Sequence, residues 1–408
     1  MTLFKILCAQ PAMRFYFLAL VATFLLMAIL PKPAITVGGG VLGLISVGAL
    51  IHMRSLFGVS RLVMASCAAL LILIVISGFY GADRDDSVAH LMRWVFVFPL
   101  GLAMIGFVRR STAMPSIRAW GAALAALAFG ALYVILSDMT GYQLQRWAYP
   151  YDSFEPTDFN KGIAAIVILS PAVLYPLWVM GGRMRMGAAG VAALVAVMAF
   201  MSYSQAAGFA VLIIALGTLM PVRSRKFWRV VRVVTVAGVL GLPFLMPYAY
   251  QNWAAPMQES TVGRYASGAQ RLEIWAAVSD EIAKAPIFGH GYNAARVMEF
   301  PEIQKKYFWD TQIAHTHNFV LQAWLEFGAV GAILLAVFLV LMWRRIQAVQ
   351  DRPTRRMYFM TATATIGLAL VGWNLWQTWW IVLLFITATT AILSARMMGQ
   401  GPVTPHSK

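Results

Sequence analysis

The sequence predicts an all-α, polytopic membrane protein of about twelve transmembrane helices, with one long, partly helical outer loop between the ninth and tenth. Three observations predict it. Hydrophobic residues fill 60% of the 408 positions and charged residues only 12%, a balance that no soluble domain of this size can carry in water. Apolar runs of about 17–25 residues, the length that crosses about 30 Å of hydrocarbon, recur along almost the whole chain. Arginine and lysine gather in alternate connections. With lipid as solvent, each backbone N–H and C=O must find its partner within its own segment, so the crossings are helices.

Residues 12–30 form the first span. They are too long for the apolar core of a cleaved signal, and no small-x-small site precedes Pro31, so the segment is read as retained. Further spans are expected at 34–52, 62–80, 90–108, 116–136, 162–181, 187–203, 205–220, 230–249, 315–342, 357–374 and 377–395. The second carries Gly39-x-x-x-Gly43, a pattern that brings helices together either within one chain or between chains. Residues 1–408 thus make one membrane domain, and an even number of crossings puts both termini on one side.

The charge distribution identifies that side as cytoplasmic. The connections that would lie inside hold Arg54 and Arg61, then Arg109, Arg110 and Arg118, then Arg183 and Arg185, then Arg223 to Arg232, then Arg344 to Arg356. Of the 16 acidic residues, only Asp351 falls among them. A net charge of +16 therefore reads as orientation against anionic lipid rather than as binding to nucleic acid. Cys8 and Cys67, the two cysteines, exclude a disulfide framework and a cysteine metal site.

Two outer segments are long, 137–161 and 250–314. A closed loop of some sixty residues costs entropy to order, and such loops are usually functional. The tail after Arg396 is a short run of Gly, Pro and polar residues, with no soluble domain expected there.

Within 250–314, Ser267-Gly268-Ala269-Gln270 has the form of a capping box and Pro286 ends the segment after it, so residues 268–284 are expected to be helical. At about 100° per residue, Arg271 shares a face with Trp275, Val278 and Ile282, away from Asp280 and Lys284. Arginine in a first turn opposes the helix dipole by about 0.3–1 kcal/mol unless an anion sits there. A guanidinium beside free helix N–H groups suits a phosphate, although it would also suit an arginine snorkelling to lipid headgroups.

The loop continues through the turn Gly289-His290-Gly291-Tyr292 to His315-Thr316-His317-Asn318, where the tenth apolar run begins. Placed at a helix N-terminus, a histidine is held toward its neutral form by the dipole, as a general base requires. Leu321, Trp324, Gly328 and Gly331 fall on the face of His317 in an ideal helix, and the glycines would admit a close neighbour. Glu326 points to the opposite side, where packing or a polar contact inside the bundle is expected.

His317-Asn318, followed by nine residues and Gly328-x-x-Gly331, resembles the signature of the O-antigen ligase and polymerase superfamily. The segment from Gln270-Arg271-Leu272-Glu273-Ile274-Trp275 to Ala285-Pro286-Ile287-Phe288-Gly289-His290-Gly291 is similar to the loop arginine motif of that family. The resemblance implies a GT-C-like membrane glycosyltransferase in lipopolysaccharide biosynthesis. Such a ligase moves O-antigen from undecaprenyl diphosphate onto lipid A-core at the periplasmic face of the inner membrane, without a metal or other cofactor. On the matching positions, Arg271 takes the place of the loop arginine and His317 that of the catalytic histidine.

One position departs from the family. Its second arginine, in a Ser-Arg-Gly-like stretch, corresponds here to Ser204-Gln205-Ala206-Ala207. Lys161, Arg146 and Arg264 are candidates for the missing cation, and each also fits a solvated loop. His315, Asn318 and Gln205 complete the candidate substrate-binding set. Asp83-Arg84-Asp85-Asp86 contains an Asp-x-Asp pattern, but patterns that short recur by chance, and no metal is expected. Three other readings share these features: an O-antigen polymerase, a protein O-oligosaccharyltransferase, and a transporter of polyprenyl-linked glycans. No ATP-binding loop of the form GxxxxGK[ST] occurs, and energy for transfer would come from the activated diphosphate bond.

Overall fold

The structure, a computed structural model, describes residues 2–53, 61–82, 87–143, 156–260, 267–313 and 315–399. Among these residues the chain forms helices and connecting loops with no strand, apart from a single antiparallel bridge between Glu299 and Gln312. In order the helices are α1 (Thr2–Leu26), α2 (Pro31–His52), α3 (Arg61–Ser77), α4 (Ser87–Arg110), α5 (Ile117–Met139), α6 (Asn160–Met180), α7 (Gly182–Met201), α8 (Gln205–Leu219), α9 (Arg225–Glu259), α10 (Gly268–Lys284), α11 (Ala294–Val297), α12 (Phe319–Ala348), α13 (Arg352–Val371) and α14 (Thr378–Met397). A short 3-10 turn at Pro156–Phe159 leads into α6.

Eight of these helices are long and apolar enough to cross a membrane: α2, the Met92–Arg110 part of α4, α5, α6, α7, α9, α12 and α14. The other expected crossings correspond to shorter apolar helices, Pro11–Leu26, Met64–Ser77 and Gln205–Leu219, and to α13, whose first five residues include Arg352, Arg355 and Arg356. Exposed Phe15, Leu44, Val233, Val234 and Phe244 face outward as they would toward hydrocarbon rather than water.

α6 and α14 are buried on most of their surfaces and form the centre of the bundle. Between lipid-solvated helices, close packing supplies the attraction that the hydrophobic effect cannot. Gly39 of α2 is covered by Val382 of α14 and Gly43 by Leu100 of α4, so the small-residue pattern of α2 packs helices within the chain. α9 runs antiparallel to α12: Arg232 donates to Gln347 near one end, and the indole of Trp324 donates to the Val239 carbonyl further along.

α9 departs furthest from expectation. The sequence predicts a span at 230–249, whereas the helix covers 35 residues, about 52 Å at 1.5 Å per residue. Once a helix is nucleated, each added turn satisfies its own backbone, so polarity alone does not stop it. α10 packs against it, with Gly268 lying against Met257 near its C-terminal end.

Candidate functional site

α10 occupies the residues expected of it, and Val278 and Ile282 of its Arg271 face are buried. The capping box does not form. Ser267 lies in the left-handed region (φ 40) and makes no side-chain bond to the helix end, which leaves that end uncapped by its own side chain.

Arg271 projects from this first turn toward the histidines. As a whole residue Arg271 is partly exposed, yet burial of its charged group lowers its pKa, and among the described residues no hydrogen bond or ion pair engages it. Four residues on, the Trp275 indole donates to the Thr316 carbonyl at 2.9 Å. That bond ties the arginine face of α10 to the residue between the two histidines.

His317 lies outside α12, which starts at Phe319, and the expected helical face shared by His317, Gly328 and Gly331 does not exist. His317 instead holds φ 55, an uncommon conformation for a non-glycine residue that persists only where its surroundings enforce it. The enforcement is local. The Thr316 hydroxyl donates to the Asn318 carbonyl at 2.8 Å and accepts from the Asn318 N–H at 3.3 Å. Asn318, expected among the substrate-binding residues, is the N-cap of α12: its amide oxygen accepts from the Val320 and Leu321 N–H groups at 2.9 and 3.1 Å and is committed to that task.

His317 Nδ1 lies 3.0 Å from the carbonyl oxygen of Gly372, in the turn between α13 and α14. A carbonyl only accepts, so Nδ1 carries the proton, and in the neutral ring Nε2 keeps a free lone pair. The His315 ring sits 3.9 Å from the His317 ring, centre to centre, and its buried Nε2 has no partner among the described residues. Burial first, and Arg271 second, hold His317 down at about 4, against the raising effect of the Gly372 bond. His315 is pushed to about 3 by burial, then by His317 and Arg271. Both rings are neutral at pH 7, as a helix-end histidine should be, but desolvation and the arginine cause this rather than the helix dipole.

Of the two glycines, Gly328 admits a close neighbour. Gly328 has φ 57 and ψ −151 in the middle of α12 and breaks its helical path. The loop segment after α10 docks into the break: the Ala329 N–H donates to the Pro286 carbonyl at 2.8 Å, and the His290 and Gly291 N–H groups donate to the Leu325 and Glu326 carbonyls at 2.8 and 2.9 Å. A side chain on Gly328 would strike the Ile287 backbone, and one on Gly289 would meet the Glu326 carbonyl carbon at 2.5 Å. Gly331 lies against Phe327 and the Ala323 carbonyl of its own helix. The turn 289–292 also reaches α3, where the Tyr292 N–H donates to the Ser77 hydroxyl at 3.1 Å.

Glu326 meets the expectation of a polar contact inside the bundle. Its carboxylate accepts from the Gln322 amide at 2.8 Å and from the Trp376 indole at 2.5 Å. Gln322, Asn374 and Trp376 are not legible as site residues from the sequence; the available signal is Asn374, set in the aromatic run Trp373 to Trp380, where a buried amide implies a partner.

The remaining candidates are dispersed. Lys161 is partly buried on the first turn of α6, and Gln205 is partly buried at the start of α8. Neither makes a bond to Arg271 or to the histidines among the contacts of the described residues. Arg146, Arg264 and the Asp83-Arg84-Asp85-Asp86 pattern lie outside the described residues. Among the described residues no group of three His, Cys, Asp or Glu could hold a metal ion.

Residues 190–336 match the family model described as O-antigen ligase. The resemblance read from the sequence is thus borne out over the segment that carries both Arg271 and His317. Among curated proteins the chain is similar to three from Rickettsia that carry the provisional name polysaccharide ligase. It is 26% identical to that of Rickettsia conorii over 162 residues, 38% of each chain. It is 26% identical to that of Rickettsia prowazekii over 163 residues, 38% of this chain and 39% of the relative. It is 30% identical to that of Rickettsia bellii over 122 residues, 28% of this chain and 29% of the relative. The match with the first of them spans about 38% of its length.

Proposed function

We propose that this multi-pass membrane protein of the O-antigen ligase and polymerase type is itself an O-antigen ligase. It transfers O-antigen polysaccharide from undecaprenyl diphosphate to a hydroxyl of lipid A-core, at the periplasmic face of the inner membrane with both termini cytoplasmic. The observation that carries this reading is Arg271: a desolvated guanidinium with no counter-ion among the described residues, facing two neutral imidazoles. An uncompensated buried cation is costly, and a donor diphosphate would supply the missing charge.

In the proposed reaction, the acceptor oxygen attacks the anomeric carbon as the bond from that carbon to the diphosphate oxygen breaks. Negative charge grows on the leaving diphosphate, and Arg271 binds it more tightly in the transition state than in the ground state. His317 Nε2 takes the proton from the acceptor hydroxyl. Direct attack inverts the anomeric centre and forms no covalent sugar–enzyme intermediate. Diphosphate bound at Arg271 also offsets the charge that depresses His317, so the base strengthens when donor is present.

The test is transfer by purified protein in lipid vesicles holding undecaprenyl-diphosphate-linked glycan and lipid A-core. Glycan on lipid A-core is the expected product, lost in His317→Ala and Arg271→Ala variants inserted at normal levels. Longer lipid-linked chains would instead make the protein a polymerase, and full activity in either variant would remove the residue assignment. Lys161→Gln is expected to raise the donor KM if Lys161 supplies the second cation.

A further inference from the structure

The bond between His317 Nδ1 and the Gly372 carbonyl joins two parts of the chain that have no covalent reason to meet. One amide side chain holds both. Gln322 lies in the first turn of α12 and is fully buried; its backbone N–H donates to the Asn318 carbonyl at 2.9 Å, one residue after the histidine. Its side-chain oxygen accepts from the Leu375 N–H at 2.9 Å, and its side-chain nitrogen donates to the Asn374 and Glu326 oxygens, each at 2.8 Å. Asn374 in turn accepts from the Trp376 N–H at 2.7 Å, and Glu326 from the Trp376 indole. These side-chain bonds, which fold the 374–376 turn, all end on Gln322, Asn374 or Glu326.

We infer that Gln322 is a positioning residue for His317: with Asn374 and Glu326 it fixes the turn that presents the Gly372 carbonyl, and that carbonyl selects the tautomer with the proton on Nδ1 and the lone pair on Nε2. The inference rests on the reading of His317 as the base. Of the other groups beside the ring, the Arg271 guanidinium only donates, and the His315 ring, 3.9 Å away centre to centre, turns to the same Gly372 carbonyl and makes no hydrogen bond to His317 among the described residues. Without the carbonyl in place, the proton distributes over both ring nitrogens and a fraction of the protein carries Nε2–H, which cannot accept a proton from a hydroxyl.

A buried network that merely packed the bundle would, when cut, lower stability and leave the ring nitrogens as they were. The test therefore reads the tautomer directly. Full-length protein labelled with 15N-histidine is reconstituted in lipid bilayers, and its ring nitrogens are recorded by solid-state NMR at pH 7; the His317 signals, among six histidines, are assigned by their loss in His317→Gln. Wild type should show a protonated Nδ1 and a bare Nε2. Gln322→Met, which keeps the volume and loses the bonds, should show a mixture of tautomers, and Asn374→Leu the same. A wild-type His317 pattern in either variant overturns the inference.

In the transfer assay, Gln322→Met should lower kcat by about tenfold or more while KM moves by less than about threefold, as expected when a base is misprotonated rather than when binding is lost. The two readings fail separately. An inactive His317→Ala variant with an unchanged tautomer in Gln322→Met discards the positioning role alone. An active His317→Ala variant with the tautomer shifted discards the base alone.

Discussion

Trp275 and Thr316 are joined by a hydrogen bond of 2.9 Å from indole to carbonyl, and this one contact registers the arginine helix α10 against the histidine loop. Arg271 and His317 come from different segments, so their mutual geometry depends on such ties.

The charge of Arg271 depresses both histidines. In Arg271→Gln the His317 pKa should therefore rise from about 4 toward the ordinary value of about 6.5. Ring-nitrogen titration checks this without requiring activity. A His317 midpoint that stays put would mean that the arginine lies too far away to act on the base or on its substrate.

The same rings make stability depend on pH, and the direction follows from proton counts. Between about 4 and about 6.5 the unfolded chain binds protons that the folded histidines refuse, so stability rises with pH across that window. The contribution is complete above the unfolded value and is lost as pH falls through the folded one. Thermal unfolding midpoints should drop from pH 7 to pH 4, and the drop should shrink in His315→Gln/His317→Gln. An undiminished drop would assign the acid sensitivity to other groups.

Arg271→Lys keeps the charge but loses the planar two-pronged donor. We expect Arg271→Ala to lower kcat by roughly 100- to 1,000-fold, the usual range for removing a charge-stabilising donor, with Arg271→Lys intermediate. Single-turnover rates with excess protein measure the chemical step. Equal losses in the two variants would show that geometry, not charge, matters at this position.

Gly328→Ala places a Cβ against the Ile287 backbone at a position with φ 57, so the docked segment must leave the break in α12. A loss of at least about 2 kcal/mol is expected for such strain with overpacking, together with faster proteolysis around 286–291. Gly40→Ala, where nothing lies within 4 Å, should be silent in both measurements. Protease protection equal to wild type in Gly328→Ala would contradict the docking.

Glu273 accepts the N–H groups of Lys306, Tyr307 and Phe308 at 3.0, 2.7 and 2.8 Å and is buried. Glu273→Ala strands these donors at a cost of about 1–3 kcal/mol for each that water cannot reach. Amide hydrogen exchange at 305–309 should accelerate, while α12 stays protected. Unchanged exchange in that stretch would show that the turn holds itself.

Apolar periodicity and punctuation marked the membrane helices and α10 because those signals are local. Turn glycines at 289 and 291 and the stop at Pro286 act within a few residues of where they stand, and the cations of alternate connections report a lipid environment that every segment shares. Arg271 stands out in the sequence because an arginine in a first helical turn opposes the dipole, and His317 because a histidine at the start of an apolar run is placed to stay neutral. The cap at Ser267 and the shared face of His317 with the glycines differ from expectation for one reason: the backbone turns left-handed at Ser267, His317 and Gly328, where local pattern implies regular helix geometry.

Tertiary structure alone decided which groups meet. No pattern along the chain links His317 to Gly372, Gln322 to Asn374, or Pro286 to Ala329, because those hydrogen bonds join segments whose separation is set by how the helices pack. The cause of the neutral histidines belongs to the same level, since desolvation and the nearness of Arg271 exist only after folding. The loop between α9 and α12 and its unusual residues are therefore written in the sequence. Their assembly into a cation facing a pair of histidines required the break in α12 and the turn before α14, where distant backbone groups satisfy one another away from water.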